Sequence, residues 1–228
     1  DRSAFFMPTG KGPCRFGQYH QYHRQVLDRA GLPQVPIFSP MQDETLHHDV
    51  HMLDKNFVRM CWRGALAVDM LQKALREHRP YEKQKGKADR AYRSSLDKVT
   101  SAIENRADLF PVLQQAYKDF TSIDITGRDR PVIGVVGEIY IRSNRFSNEG
   151  IVRQIESLGG EAWVAPVSEW LLYLTATAKS SAKMNHSWKA LLKAYLTEWV
   201  QHKDERRFLG GFNGTMRGLH EPTIKETL

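Results

Sequence analysis

Residues 131–137, Pro-Val-Ile-Gly-Val-Val-Gly, decide the fold class of this chain. They form an unbroken apolar run rich in β-branched residues, the pattern of a parallel strand buried on both faces. Beyond them, Ile151, Val152, Ile155 and Leu158 recur at helical spacing, with Ser147 or Asn148 placed to cap the helix and Gly159-Gly160 placed to end it. Residues 162–167 then read as the next strand. Strand, helix and strand in this order make a βαβ unit with parallel pairing and a right-handed crossover.

The same order is written once more near the start. Residues 3–7 are a short apolar run closed by Pro8-Thr9-Gly10, read as a buried strand and turn. From residue 18 to 30 the pattern is helical, with Tyr19, Tyr22, Val26 and Leu27 on one face and Gly31 as its stop. Residues 35–38 form the following strand. Between the two βαβ units lies a helical insert at about residues 54–121. Its clearest helix, residues 56–78, carries Phe57, Cys61, Gly64, Val68, Leu71 and Leu75 as a single apolar stripe. Two further helices are expected near residues 88–106 and 109–120. The polar linker around Thr126 to Arg130 sets a domain boundary near residue 127, giving α/β lobes at 1–127 and 128–228. After a helix with Trp188, Leu191, Leu192, Tyr195, Leu196, Trp199 and Val200 on a wide apolar face, glycines at 210, 211, 214 and 218 break the pattern. Residues 220–228 read as the start of another helix. With only two strands, the second lobe is expected to continue past Leu228, and the abrupt start at Asp1 suggests a longer parent.

The 228 residues include 33 Lys and Arg against 26 Asp and Glu, a net charge of +7. Such an excess invites nucleic acid, through counterion release. Here, however, the basic residues are mixed with acidic ones, as in Lys83 to Arg90 and Lys203 to Arg207, which is how solvated helix faces are written. An anionic small ligand such as a nucleotide or a coenzyme A thioester suits the charge as well. No apolar run reaches the roughly 18 residues of a membrane helix, and the N-terminus lacks the pattern of a signal peptide. Two cysteines, Cys14 and Cys61, fall short of a disulfide framework, so a reducing cytoplasm is the expected compartment.

In open α/β sheets, ligands bind beyond the carboxyl ends of the strands, so three strand-exit loops are candidates. The first, residues 8–17, reads Pro-Thr-Gly-Lys-Gly-Pro-Cys-Arg-Phe-Gly and matches neither a P-loop nor a dinucleotide fingerprint. Gly10 and Gly12 allow close backbone approach to a ligand, and Arg15 supplies a cation. Cys14, between Lys11 and Arg15 at the head of a helix, is set up as a nucleophile or an iron–sulfur ligand, or else as a buried thiol in a tight turn. The second loop offers Glu138 as a base or acceptor, with Arg142 and Asn144 as anion-binding donors, or else satisfies its own backbone. In the third, Ser168 and Glu169 are candidates to bind substrate, or else a natural N-cap and a residue fitted to the first helical turn. His47, His48 and His51 lack the His-Glu-x-x-His arrangement of a zinc site, and Cys61 reads as a core thiol.

Residues 8–19 and 130–142 resemble the 2-hydroxyacyl-CoA dehydratase family, in particular the dehydratase-like region of long proteins fused to an activase-type ATPase. Pro-Ile-Phe-Ser-Pro (36–40), Gly-Gly-Glu-Ala-Trp-Val-Ala-Pro-Val-Ser-Glu-Trp (159–170) and Lys-Asp-Glu-Arg-Arg (203–207) extend the likeness. The resemblance implies two flavodoxin-like or Rossmann-like lobes with an iron–sulfur cluster between them. It further implies an activase-type ATPase as electron donor and a 2-hydroxyacyl-CoA thioester as substrate. It gives Cys14 the role of cluster ligand and places Glu138, Arg142 and Asn144 near the cluster or substrate. The family uses about three cysteines per cluster and this chain offers one at a matching position, so no complete cluster is expected within it. The alternatives are a non-catalytic scaffold or interaction module of the same fold, and a basic nucleic-acid-binding protein.

Overall fold

The computed structural model describes residues 3–10, 14–41 and 56–210. Lys11, Gly12 and Pro13, the histidines 47, 48 and 51, and the segment expected to open a last helix at 220–228 lie outside the described residues. Two compact units are present, Asp1–Cys61 and Trp62–Leu228. Residue 127, where the sequence sets a boundary, falls within the second.

In the first unit, β1 (Phe5–Phe6) leads through a 3-10 turn (Arg15–Gln18) into α1 (Tyr19–Arg29) and on to β2 (Ile37–Phe38). The strands pair in parallel, Phe5 with Ile37 and Phe6 with Phe38, and a parallel bridge from Thr9 to Met41 extends the register. Gly31 ends α1 as the sequence predicts. It sits at φ +75°, where a side chain would be strained. Its N–H donates to the Asp28 carbonyl while Leu32 N–H donates to that of Leu27, the paired bonds of a Schellman stop. The expected apolar face is less buried than its pattern suggests. Leu27 is buried, but Tyr22, Val26, Phe5 and Phe6 are exposed.

The second unit takes its core from α2 (Phe57–His78), which begins in the first unit, α3 (Lys87–Glu104), α4 (Phe110–Thr121) and the last helix, α8 (Trp188–Gly210). Trp62, Leu66, Met70, Leu71, Leu75, Val99, Leu113, Phe120 and Phe208 form one buried cluster. The buried stripe of α2 is therefore rotated from the expected one. Leu71 and Leu75 belong to it, whereas Cys61 is exposed and Trp62, Leu66 and Met70 take the inward positions. Glu82, buried in the loop before α3, accepts from the backbone N–H groups of Gly86 and Ala88 at 2.7 Å each. It thus satisfies orphan donors at a helix start whose N-cap, Gly86, has no side chain to offer.

From residue 132 the unit is a second strand–helix–strand passage: β3 (Val132–Val135), the short helices α5 (Ile139–Ser143) and α6 (Ile151–Ser157), then β4 (Glu161–Val164). β3 and β4 pair in parallel from Val132 with Glu161 to Val135 with Val164. The chain is thus α/β in having parallel strand pairs joined through helices, though most of the described residues are helical. One expectation is corrected here. Val132 and Ile133 are exposed, whereas Glu161, Ala162 and Val164 of β4 are buried; with two strands among the described residues, neither is flanked on both sides as a central strand would be. Nor do Ser147 and Asn148 cap α6, whose N-cap is Gly150. Asn148 instead donates to the carbonyls of Ile141 and Arg142, closing the end of α5.

Gly159 and Gly160 end α6 as expected, with Gly160 N–H donating to the Ile155 carbonyl at 2.9 Å. A Cβ on Gly160 would lie 2.8 Å from Ile155 Cγ2, 2.9 Å from Ile133 Cδ1 and 3.3 Å from the Ile155 carbonyl oxygen. Ile133 is exposed and can swing aside, but Ile155 is buried. Gly160→Ala is expected to cost about 1–3 kcal/mol through this crowding, read as a lower urea midpoint with an unchanged slope. A midpoint equal to wild type would mean that the α6–β4 turn has slack.

α7 (Val167–Met184) follows β4 directly and packs along α8. No helix among the described residues is long and apolar enough to cross a membrane.

Candidate functional site

The residues singled out by sequence lie in both units. In the first, Cys14 is exposed and occupies the N-cap position of the 3-10 turn in extended backbone, its carbonyl accepting from Gly17 N–H at 3.2 Å. The loop is drawn tight above it. Thr9 Oγ1 donates to the Gly17 carbonyl at 3.0 Å, and a Cβ on Gly17 would stand 2.6 Å from the Gly10 carbonyl oxygen. Only glycine allows this approach, so Gly17 packs against Gly10 while Cys14 and Arg15 remain on the outside. Cys14 is therefore no buried thiol. Cys61 is not the core thiol expected either, although burial of its surroundings pushes that thiol up.

In the second unit the exits of β3 and β4 lie side by side. Glu138 caps α5, accepting from Ile141 N–H at 2.8 Å. Arg142 donates to the carbonyl of Gly137 at 3.0 Å and to that of Pro166 at 3.2 Å, tying one strand exit to the other. Its Nε is buried without a partner among the described residues. Asn144 closes the same loop by accepting from Ser147 N–H at 3.0 Å. These three side chains thus shape the loop through hydrogen bonds of their own. Glu169 stands exposed in the first turn of α7, as expected. Ser168 does not cap that helix. Pro166 holds the N-cap position, and Asp69 reaches in from α2 to accept from Val167 N–H at 3.1 Å and Ser168 N–H at 2.7 Å. A helix start that would otherwise attract an anion already has a carboxylate on it.

Asp69 belongs to a polar face of α2 that sequence reasoning passed over. With Lys73, Arg76 and Glu77 it lines a cleft of about 80 Å³ at the strand exits, facing Ser143, Pro166 and Ser168. The volume is far below the roughly 300–1,000 Å³ of pockets that enclose a drug-sized ligand. Arg76 donates to Gln72, and burial pushes its guanidinium down to about 10, with Asp69 acting against the shift and Arg79 reinforcing it. The signal was available as the spacing of Asp69, Gln72, Lys73 and Arg76, which repeats opposite the apolar stripe.

The implied iron–sulfur cluster can be tested against these donors. A cluster of this kind takes four ligands, mostly thiolates. The sequence holds two cysteines, and no group of three His, Cys, Asp or Glu comes together among the described residues. The chain's own donors do not fit a complete cluster; Cys14 can offer one exposed sulfur. No protein-family model, curated protein or solved structure matches the chain.

Proposed function

We propose that this chain is the α/β portion of a 2-hydroxyacyl-CoA dehydratase-like protein, with flavodoxin-like or Rossmann-like lobes, in which Cys14 supplies one thiolate to a shared iron–sulfur cluster. The carrying observation is the placement of Cys14: exposed, at the exit of a parallel strand, on a loop folded by close glycine contacts. Support also comes from the motif resemblance at residues 8–19 and 130–142. The other ligands come from cysteines outside these residues. An activase-type ATPase is the partner this reading calls for, a 2-hydroxyacyl-CoA thioester the substrate and the cytoplasm the compartment. In this reading Glu138 and Asn144 keep the β3 exit in shape. Arg142 does the same and retains Nε for an incoming acceptor.

A second reading, a scaffold of the same fold without a cluster, is favoured by the shortage of cysteines. The two differ in iron. Protein purified anaerobically from its native cells, with the chains that accompany it, is expected to contain iron and acid-labile sulfide and to lose most of both in Cys14→Ala. Iron-free protein, or iron retained in full by the variant, overturns the cluster reading and leaves the scaffold.

A further inference from the structure

The last helix carries two faces, and only one of them is used by the fold. Ala194, Gln201, Asp204 and Phe208 are buried, and Asp204 accepts both Nε and Nη2 of Arg63 at 2.9 and 2.8 Å. These contacts fix which side of α8 turns inward. Diametrically opposite, Trp188, Leu192, Tyr195, Leu196 and Trp199 are exposed, Trp188 at 68% and Trp199 at 57%. Large apolar residues scattered singly on a surface need no explanation, but five on one stripe do.

The spacing indicates the shape of the partner. Trp188, Leu192, Tyr195 and Trp199 follow at intervals of four, three and four residues, the a/d seam of a helix that packs on another helix. Leu191 and Val200, at the borders of the wide face expected from sequence, are half-buried, which leaves a narrow seam where a lipid surface needs a broad apolar face and no such register. The charge then selects among helices. With Leu192 and Trp199 at a, the flanking e positions hold Lys189 and Lys203. These lie over Trp188 at 5.7 Å and over Trp199 at 5.1 Å, and Lys179 of α7 lies over Tyr195 at 5.4 Å. The nearest acid, Glu198, is held by that same Lys179. Arg206 continues the stripe and is exposed. On the other flank the g positions hold Leu191, Glu198 and Glu205, the last bonded to His202 at 3.1 Å, so the seam is apolar at its centre and basic along the e side of its rim. A second copy of the chain would bring lysines toward lysines in an antiparallel pairing, and in a parallel one would need Glu198 to leave Lys179.

We infer that this face of α8 docks an amphipathic helix of a partner protein, one with apolar a and d positions flanked by Asp or Glu. Residues 188–199 extend about 16 Å at 1.5 Å per residue, so three turns of the partner would cover the seam. The rings are the anchors, as aromatic side chains are at protein interfaces generally, and the lysines select the charge of what lies beside them.

The test uses the full chain and two synthetic helical peptides with leucine at a and d, one with glutamate and the other with lysine at the flanking positions. Titration should show micromolar binding of the glutamate peptide and at least tenfold weaker binding of the lysine peptide. Trp199→Ala should weaken the first at least tenfold. The double variant Lys189→Glu/Lys203→Glu, whose changes are both on the surface, should reverse the preference. Indifference to flank charge, or binding untouched by Trp199→Ala, overturns the inference. It is likewise overturned if neither peptide binds while light scattering shows a dimer lost in Trp199→Ala, or while anionic vesicles or oligo-dT bind in their place.

Discussion

Replacing Arg79 by alanine is expected to destabilise the second unit by about 3–5 kcal/mol, the range for removing one partner of a buried ion pair. Arg79 sits between α2 and α3, with its side chain only 9% exposed. Its Nε and Nη2 donate to the two oxygens of Glu156 at 2.8 and 2.7 Å, a fork held by a carboxylate that is itself 8% exposed. Its remaining nitrogen, Nη1, donates to Asp89 at 3.0 Å, and Arg153 reaches Asp89 from α6. The network joins the helical insert to the segment between β3 and β4, so its loss leaves the buried Glu156 without its fork and the half-buried Asp89 with Arg153 alone. Removing Glu156 as well should restore part of the loss, because the second alanine abolishes the uncompensated charge; a double-mutant cycle in urea measures the difference.

The same network sets an acid dependence. Burial of Asp89 opposes its ionisation, but hydrogen bonds from Arg153 and Arg79 overcome this and hold the carboxyl below its usual range. A depressed carboxylate contributes stability above its unfolded value of about 3.9 and loses it as the pH falls through the lower folded value. Wild type should therefore lose stability below about pH 4 more steeply than Arg79→Ala does. Parallel acid profiles would assign the stabilisation elsewhere.

The second large effect is expected at Phe208. Its side chain is fully buried among residues of α2, α3 and α4, although it belongs to the last helix. Phe208→Ala should cost about 3–5 kcal/mol, through lost transfer energy and the cavity left behind. Phe208→Leu, which keeps most of the volume, should cost distinctly less. Trp199→Ala removes a larger side chain from the same helix but from its exposed side, and should change stability by no more than about 0.5 kcal/mol. Equal losses at the two positions would show that the outer stripe of α8 is covered in solution.

Much of the order along the chain was legible. Gly31 and Gly159 stop α1 and α6 because both require positive φ, and Pro80 follows α2. The parallel pairing of β1 with β2 and of β3 with β4 was readable from apolar runs separated by helical periods. Burial was less so. The run Pro-Val-Ile-Gly-Val-Val-Gly predicts a strand covered on both faces, yet Val132 and Ile133 are exposed in a sheet of two strands among the described residues. Composition reports what a strand can bury; how many neighbours it has is decided by segments distant in sequence. The α2 stripe failed for a related reason. Trp62, Leu66 and Met70 lie beside the single stripe that sequence marks, and packing with α3 and α4 turns them inward in place of Cys61, which local periodicity cannot see.

At the candidate site, the side chains of the strand-exit loops are engaged differently from what sequence suggests. Glu138, Arg142 and Asn144 gather at one strand exit, but largely to bond its backbone. Ser168 was taken for a cap by residue type, and the cap comes from Asp69, far away in sequence. Cys14 is exposed at its strand exit, where spacing alone left a buried thiol as an alternative.

The most direct test compares Cys14→Ala with Cys61→Ala in anaerobically purified protein, by iron and sulfide content and by the low-temperature electron paramagnetic resonance of the reduced cluster. The proposed function predicts iron and a cluster signal in wild type and Cys61→Ala, and loss of both in Cys14→Ala. Equal iron and an unaltered signal in all three proteins would contradict it.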